Sequence, residues 1–202
     1  MSLVHPVPEG APDGRELRDL TRRLLIAIGE DPDREGLVET PRRVADSMSE
    51  LTEGYGVTPH QVVGGALFEH SGEDLVLVRD IPFYSLCEHH LLPFFGRCHI
   101  GYLPQGQVIG LSKLPRLVDV FAHRLQLQER LTEEIAGAVE EVLQPRGVAV
   151  MMQARHLCLE MRGVERLHAN TVTSSYLGAL RVDASLRDEF KDLVRPVGDG
   201  SL

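Results

Sequence analysis

The sequence predicts an α+β fold: a four-stranded antiparallel sheet with helices on one face, preceded by two N-terminal helices. Three observations carry this. Apolar residues recur at helical spacing in two early segments and two central ones. Four stretches rich in β-branched, alternating or hydroxyl residues flank the central helical pair. The resulting order, strand-strand-helix-helix-strand-strand, makes successive hairpins, which imply antiparallel pairing with the helices packed alongside.

Each element has a local reason. Asp13 with Glu16 reads as a capping box, and Leu17, Leu20, Leu24 and Ile28 form an apolar stripe that Gly29 ends. Thr40 before Pro41 reads as an N-cap with proline at the first helical position. Val44, Met48 and Leu51 form the stripe of that second helix, and Gly54 stops it. The polar residues 31–39 between the two helices read as a loop. A strand opens at residues 75–78 and runs towards Phe83; a second covers 94–103 and turns at Pro104-Gln105-Gly106. Ser112 stands as a cap before Leu114, Leu117, Val118 and Phe121, spaced i, i+3, i+4 and i+7. Leu131, Ile135, Ala138 and Val142 mark the next helix, closed by Pro145 and Gly147. Strands over 148–161 and 171–180 follow, then a last helix over 185–194. Residues 1–12 read as a flexible tail and 13–202 as a single domain, with N-terminal helices over 13–54 and the core over about 74–195.

Composition narrows the function. A net charge of −9 argues against a nucleic-acid surface, although a local group of Arg and Lys can still hold an anion. No apolar run approaches the roughly 20 residues that span a bilayer, and the Pro- and Gly-rich start lacks the basic and apolar regions of a signal peptide. Three cysteines, an odd number, fit a reducing cytoplasm better than a disulfide framework. The expectation is a cytoplasmic protein with neither membrane nor nucleic-acid partners.

Two short segments concentrate the chemistry: Cys87-Glu88-His89-His90 and His156-Leu157-Cys158. Thiolate and imidazole are zinc ligands, and a catalytic zinc takes three protein ligands and leaves one position for water. Cys87, His90 and Cys158 would fill three positions, with His89 and His156 beside them. Either of those histidines could instead serve as a fourth ligand of a structural site, and spacing does not decide between the two. Residues i and i+2 of a strand face one way, so His156 and Cys158 are expected to point together. Cys98 shares an alternating face with Phe94, Ile100 and Tyr102 and reads as a core residue. The chain has no phosphate-cradling G-x-x-x-x-G-K-[ST] loop, no H-E-x-x-H and no H-x-E with P-C-x-x-C, which removes several common hydrolase classes.

Four motifs stand in one order: the Cys87 segment, Gly110-Leu111-Ser112-Lys113, Gln128-Glu129-Arg130-Leu131-Thr132, and His156-Leu157-Cys158 with Arg162-Gly163. With these intervals the chain closely resembles the GTP cyclohydrolase I family over residues 17–194. The resemblance implies a ββααββ tunnel fold with one Zn2+ per subunit. It also implies the first step of tetrahydrofolate and pterin biosynthesis: opening of the GTP imidazole ring, release of formate and formation of 7,8-dihydroneopterin triphosphate. His156 is then the candidate to protonate N7, and His89 the candidate for a second proton transfer. Glu129 would take the adjacent ring N–H and amino donors of guanine as a bidentate carboxylate, with Gln128 at the carbonyl oxygen. Lys113, Arg116 and Arg162 match triphosphate positions, and Arg43 is a further candidate. Asp46 stands where some relatives carry a basic residue, which would weaken phosphate binding. Ser112 matches a hydroxyl used in the later carbohydrate rearrangement. The family also implies a homodecamer of two pentamers with active sites at subunit contacts. Two other classes are a metal-stabilised binding protein without turnover and a tunnel-fold enzyme acting on another purine or pterin. The joint presence of His89, His156, Glu129 and Arg162 favours the GTP enzyme.

Overall fold

The computed structural model describes residues 13–163 and 169–195. The expected tail over 1–12 lies outside the described residues, as do 196–202. In chain order the first elements are α1 (Gly14–Ala27), α2 (Thr40–Leu51), a 3-10 turn (Glu53–Gly56), α3 (Pro59–Val63) and β1 (Leu67–Glu69). There follow β2 (Val76–Cys87), β3 (Pro93–Leu103), β4 (Gln107–Ile109), α4 (Lys113–Ala122) and β5 (Leu125–Gln126). The chain continues through α5 (Gln128–Leu143), β6 (Gly147–His156), α6 (Leu157–Glu160), β7 (Asn170–Gly178), α7 (Ala179–Val182) and α8 (Ala184–Val194).

The architecture is α+β, with two departures from expectation. The main sheet has five strands, in the order β5-β2-β3-β6-β7. The four long strands pair antiparallel, and the two-residue β5 adds itself in parallel to the end of β2 through Leu86↔Leu125 and Cys87↔Gln126. A small separate sheet joins β1 to β4. The second departure is that helices cover both faces. Phe94, Cys98, Ile100 and Tyr102 of β3 and Val148, Val150 and Met152 of β6 pack with Leu117, Leu131 and Ile135 of α4 and α5, all fully buried. The alternate residues Leu103 and Ala149 face the other way and meet Leu180 and Phe190 from α7 and α8. Gly101 makes room for that contact, since a Cβ there would lie 2.7 Å from the Phe190 ring.

The N-terminal helices form a hairpin on the outside. Asp13 caps α1 by accepting from the backbone N–H of Arg15 and Glu16. The expected stripe is not the buried one: Leu20, Leu24 and Ile28 are exposed, and Thr21 and Leu25 are buried instead. The reason is that α1 packs principally on α2, not on the sheet, so one narrow face suffices. Near its start β2 carries a bulge between Val78 and Ile81, with Asp80 at φ 60° and its N–H donating to His99 Nδ1 at 3.1 Å. Among the described residues no helix is long and apolar enough to cross a membrane.

Candidate metal centre and active site

The first two ligands come from the tight turn that follows β2. Cys87 is its last residue, and its N–H still donates to Leu92 O at 2.9 Å across the β2–β3 hairpin. Past it the chain curls back: the N–H groups of His90 and Leu91 both donate to Cys87 O, and Leu91 adopts φ 55°. That curl brings His90 Nδ1 to 3.8 Å from Cys87 Sγ, and His89 Nδ1 to 4.0 Å.

Cys158 arrives differently from the expectation. β6 ends at His156, and Leu157–Glu160 form a helical turn, so Cys158 does not share a strand face with His156. Met161 N–H donates to Leu157 O at 3.0 Å, and Arg155 holds the Glu160 carboxylate through two bonds of 2.9 and 2.6 Å. This ion pair spans the turn and folds Cys158 back towards the Cys87 turn. The ligand atoms of Cys87, His90 and Cys158 all lie within 4.8 Å of one another. With zinc–sulfur bonds of about 2.3 Å and zinc–nitrogen bonds of about 2.0–2.1 Å, tetrahedral ligand atoms sit about 3.5–3.8 Å apart. The donor chemistry fits as well. Burial and the neighbouring Cys87 push the Cys158 thiol up, opposed by the charge of Arg162. A cation that joined the Cys158 thiol would favour its thiolate, and a soft dication is the natural occupant of a site with two sulfur donors and an imidazole.

His156 is fixed on two sides. It faces Phe94 across the β3–β6 ladder, with rings parallel and centroids 4.8 Å apart. Its Nε2 lies 2.8 Å from Gln128 Oε1. Gln128 is 1% exposed, and its Nε2 donates to Met152 O, Thr171 O and Thr173 Oγ1 at 3.2, 3.0 and 3.1 Å. The amide nitrogen is therefore fully committed and the oxygen must face the imidazole, so His156 donates from Nε2 and keeps Nδ1 for other work. Burial lowers the His156 pKa, while the charges of Glu129 and Glu160 pull it back up. Glu129 itself is exposed in the first turn of α5.

The remaining expected residues divide. Ser112 occupies the N-cap position of α4 but makes no capping bond with its side chain, which leaves the exposed hydroxyl free of that duty. Lys113 Nζ donates to Val62 O at 2.8 Å. Arg116 and Arg162 are exposed. Arg43 is exposed on α2, which packs on α1 and the 3-10 turn. Asp46 is paired with Arg42 at 2.9 Å and lies 3.9 Å from Arg18, so its charge is already compensated. Cys98 is a core residue, with its thiol pushed up by burial. Sequence reasoning missed the stacking of Phe94 on His156 and an ion pair between Glu88 and Arg130.

Comparison with known proteins places these features. The GTP cyclohydrolase I family profile matches residues 17–195. GTP cyclohydrolase 1 of Leptospira biflexa is 54% identical over 179 residues, covering 89% of this chain and 98% of its own. The protein of the same name from Gloeobacter violaceus is 53% identical over 178 residues, covering 88% and 83%. That of Deinococcus radiodurans is 51% identical over 197 residues, covering 96% and 91%. A match across nearly the whole of these chains, and a family profile that spans the turn of Cys87, the start of α5 and the turn of Cys158, lead to one conclusion: the chain belongs to the GTP cyclohydrolase I family.

Proposed function

We propose that the chain hydrolyses the imidazole ring of GTP, releasing C8 as formate and yielding 7,8-dihydroneopterin triphosphate, with one zinc per subunit on Cys87, His90 and Cys158. The observation that carries this reading is the convergence of those three ligand atoms within 4.8 Å, with the His89 imidazole beside Cys87. Zinc held there supplies an ionised water at neutral pH, because it lowers the pKa of such a water to about 7.

The protein supplies the rest. His156, with Nε2 tied to Gln128, presents Nδ1 as the atom that delivers a proton to N7 of the purine, which makes C8 electron-poor. His89 lies on the sulfur side of the same group and serves the second proton transfer on ring opening. Glu129 accepts the ring N–H and amino donors of guanine. Gln128 acts through His156 and not on the guanine carbonyl, since its amide is already satisfied. Arg162, Arg116, Lys113 and Arg43 take the triphosphate, and Ser112 takes part in the later carbohydrate steps. With its three thiols free, the protein suits a reducing compartment, and we place it in the cytoplasm.

The working form in this reading is a homodecamer of two pentamers. Two features support assembly. β7 ends the main sheet with an open edge, and apolar side chains stand exposed on it and on α1: Val172 at 58%, Leu24 at 59%, Ile28 at 65%. Mixing the purified protein with GTP and following formate and the fluorescence of oxidised pterin tests the reaction. Zinc-loaded protein that leaves GTP intact would refute it.

A further inference from the structure

Glu88 lies between metal ligands, yet nothing in the proposed chemistry uses it. Its carboxylate is paired with the Arg130 guanidinium, and both side chains are mostly covered, at 30% and 24% exposure. Arg130 has two other partners. Its Nε donates to Gln126 Oε1 at 3.0 Å, and an Nη donates to Leu125 O at 3.2 Å. Gln126 is 2% exposed and hands the link inward, donating from Nε2 to Glu134 at 2.7 Å and to Phe121 O at 3.1 Å. A continuous charge-assisted chain, Glu88–Arg130–Gln126–Glu134, therefore runs from the turn of Cys87 into the core.

The placement of Arg130 gives this chain its meaning. It follows Gln128 and Glu129 directly in the first turn of α5. One of these holds His156, and the other is the proposed guanine carboxylate. The turn of Cys87 also meets that region through backbone: the short parallel register Leu86↔Leu125 and Cys87↔Gln126, and the bond from Glu88 N–H to Gln126 O at 3.1 Å. Those backbone contacts reach residues 125 and 126, ahead of α5; the forked guanidinium, with three partners in fixed directions, ties the turn to α5 itself.

We infer that Arg130 is a positioning residue that clamps the metal-bearing turn to the substrate-reading start of α5, so that metal binding and guanine placement are set by one linkage. The inference rests on the function proposed above. Its consequences fall on two separate observables. Losing a partner that orients metal ligands costs about 10–100-fold in metal affinity. A reacting centre displaced by an ångström costs about 10²-fold in rate.

The test compares wild type, Glu88→Gln, Arg130→Met, Arg130→Lys and the Glu88→Gln/Arg130→Met double variant. Zinc affinity is read by competition with a chromogenic chelator, and kcat and KM for GTP are read on zinc-saturated protein. Arg130→Met should bind zinc at least about tenfold more weakly and lose about 10²-fold in kcat with KM little changed. The double variant should lose no more than Arg130→Met alone, because both changes cut one link. Arg130→Lys, which keeps the charge but not the fork, should fall between. Glu88→Gln is nearly isosteric and decides the matter should Arg130→Met fold poorly: it should weaken zinc binding in the same direction. Additive losses, or variants whose only change is a lower unfolding temperature, would overturn the clamp. Wild type that binds zinc but leaves GTP intact would instead overturn the reaction, while the zinc measurements still decide the clamp.

Discussion

Replacing Gln128 by Leu separates two roles that sequence alone cannot distinguish. The change keeps side-chain bulk but removes one bond to His156 and the two N–H donors shared among Met152 O, Thr171 O and Thr173 Oγ1. Thr173 keeps Thr132 as a partner at 2.6 Å, so three groups lose a bond without replacement. A buried polar group deprived of its partner costs about 1–3 kcal/mol. The two carbonyls have a second lone pair and lie at the low end, so a total of about 3–5 kcal/mol follows. For a chain of this size each kcal/mol moves the unfolding midpoint by roughly 2–4 °C, giving a drop of about 6–20 °C at fixed protein concentration. Turnover should suffer independently, since His156 loses the bond that sets its tautomer. Complete loss of an acid–base group costs roughly 10²–10⁴-fold, and Gln128→Leu should approach but not exceed the loss in His156→Ala. Steady-state kinetics with GTP on zinc-saturated protein, alongside calorimetry, supply both numbers. A raised KM with kcat intact would refute the reasoning, because it would mean that Gln128 touches guanine directly.

Cys158→Ser should lose most of its zinc and nearly all activity while staying folded; full zinc occupancy by metal analysis would remove Cys158 from the site. His89→Ala and His156→Ala should keep zinc but lose turnover by roughly 10²–10⁴-fold, and normal formate release from His156→Ala would contradict its assignment to N7. His99 makes a prediction about pH. Burial lowers its pKa from 6.5, followed by an opposing pull from Asp80 and a further push down from Arg79 and Arg97. The unfolded chain therefore takes up a proton that the folded chain resists, so stability falls as pH drops below about 6.5 and levels off below the folded pKa. His99→Asn keeps an acceptor for the Asp80 N–H and should flatten thermal unfolding over that window; an unchanged slope would clear His99. Light scattering should report a particle many times the 22.4 kDa chain, and dilution to dissociation should abolish turnover. A fully active monomer would overturn both the assembly and the sharing of sites between subunits.

What was legible in the sequence follows from how each feature is encoded. Cys87, His90 and Cys158 stood out because soft ligands are scarce, and chemistry alone marks them. The long helices and strands carry enough turns or alternations for a period to show. β5, with two residues, and α6, with four, do not: β5 is made by its pairing with β2, and α6 is a single turn closed by the Met161 N–H bond to Leu157 O, with Arg155 and Glu160 paired across it. Continuing β6 through 161 is the natural reading, since one turn is too short for a period to show. α1 misled in a different way, for its leucine stripe is real but not turned towards its own chain. Gln128 reads as a contact to substrate from its place beside Glu129; its burial and its bonds to His156, Met152, Thr171 and Thr173 are what the sequence does not announce.

The exposure of the candidate site bears on the proposed assembly. The site lies where regular structure stops: Cys87 ends β2, His156 ends β6, and Gln128 opens α5. Such positions have backbone freed from the ladder yet anchored one residue away, which suits a cluster that must hold shape. The same positions leave His89, His90, Glu129 and Arg162 exposed in the isolated chain. Proton transfer to a purine nitrogen and recognition of a guanine edge both gain from exclusion of water, which competes for every donor and weakens every charge. Among the described residues, none covers these side chains. The proposed assembly would do so, with α1's exposed leucines and the open edge of β7 as surfaces through which subunits meet. It would also let a neighbour's exposed cations, such as Arg43, reach the triphosphate. In that case the quaternary structure completes the active site, and loss of turnover on dissociation is a chemical consequence before it is a matter of stability.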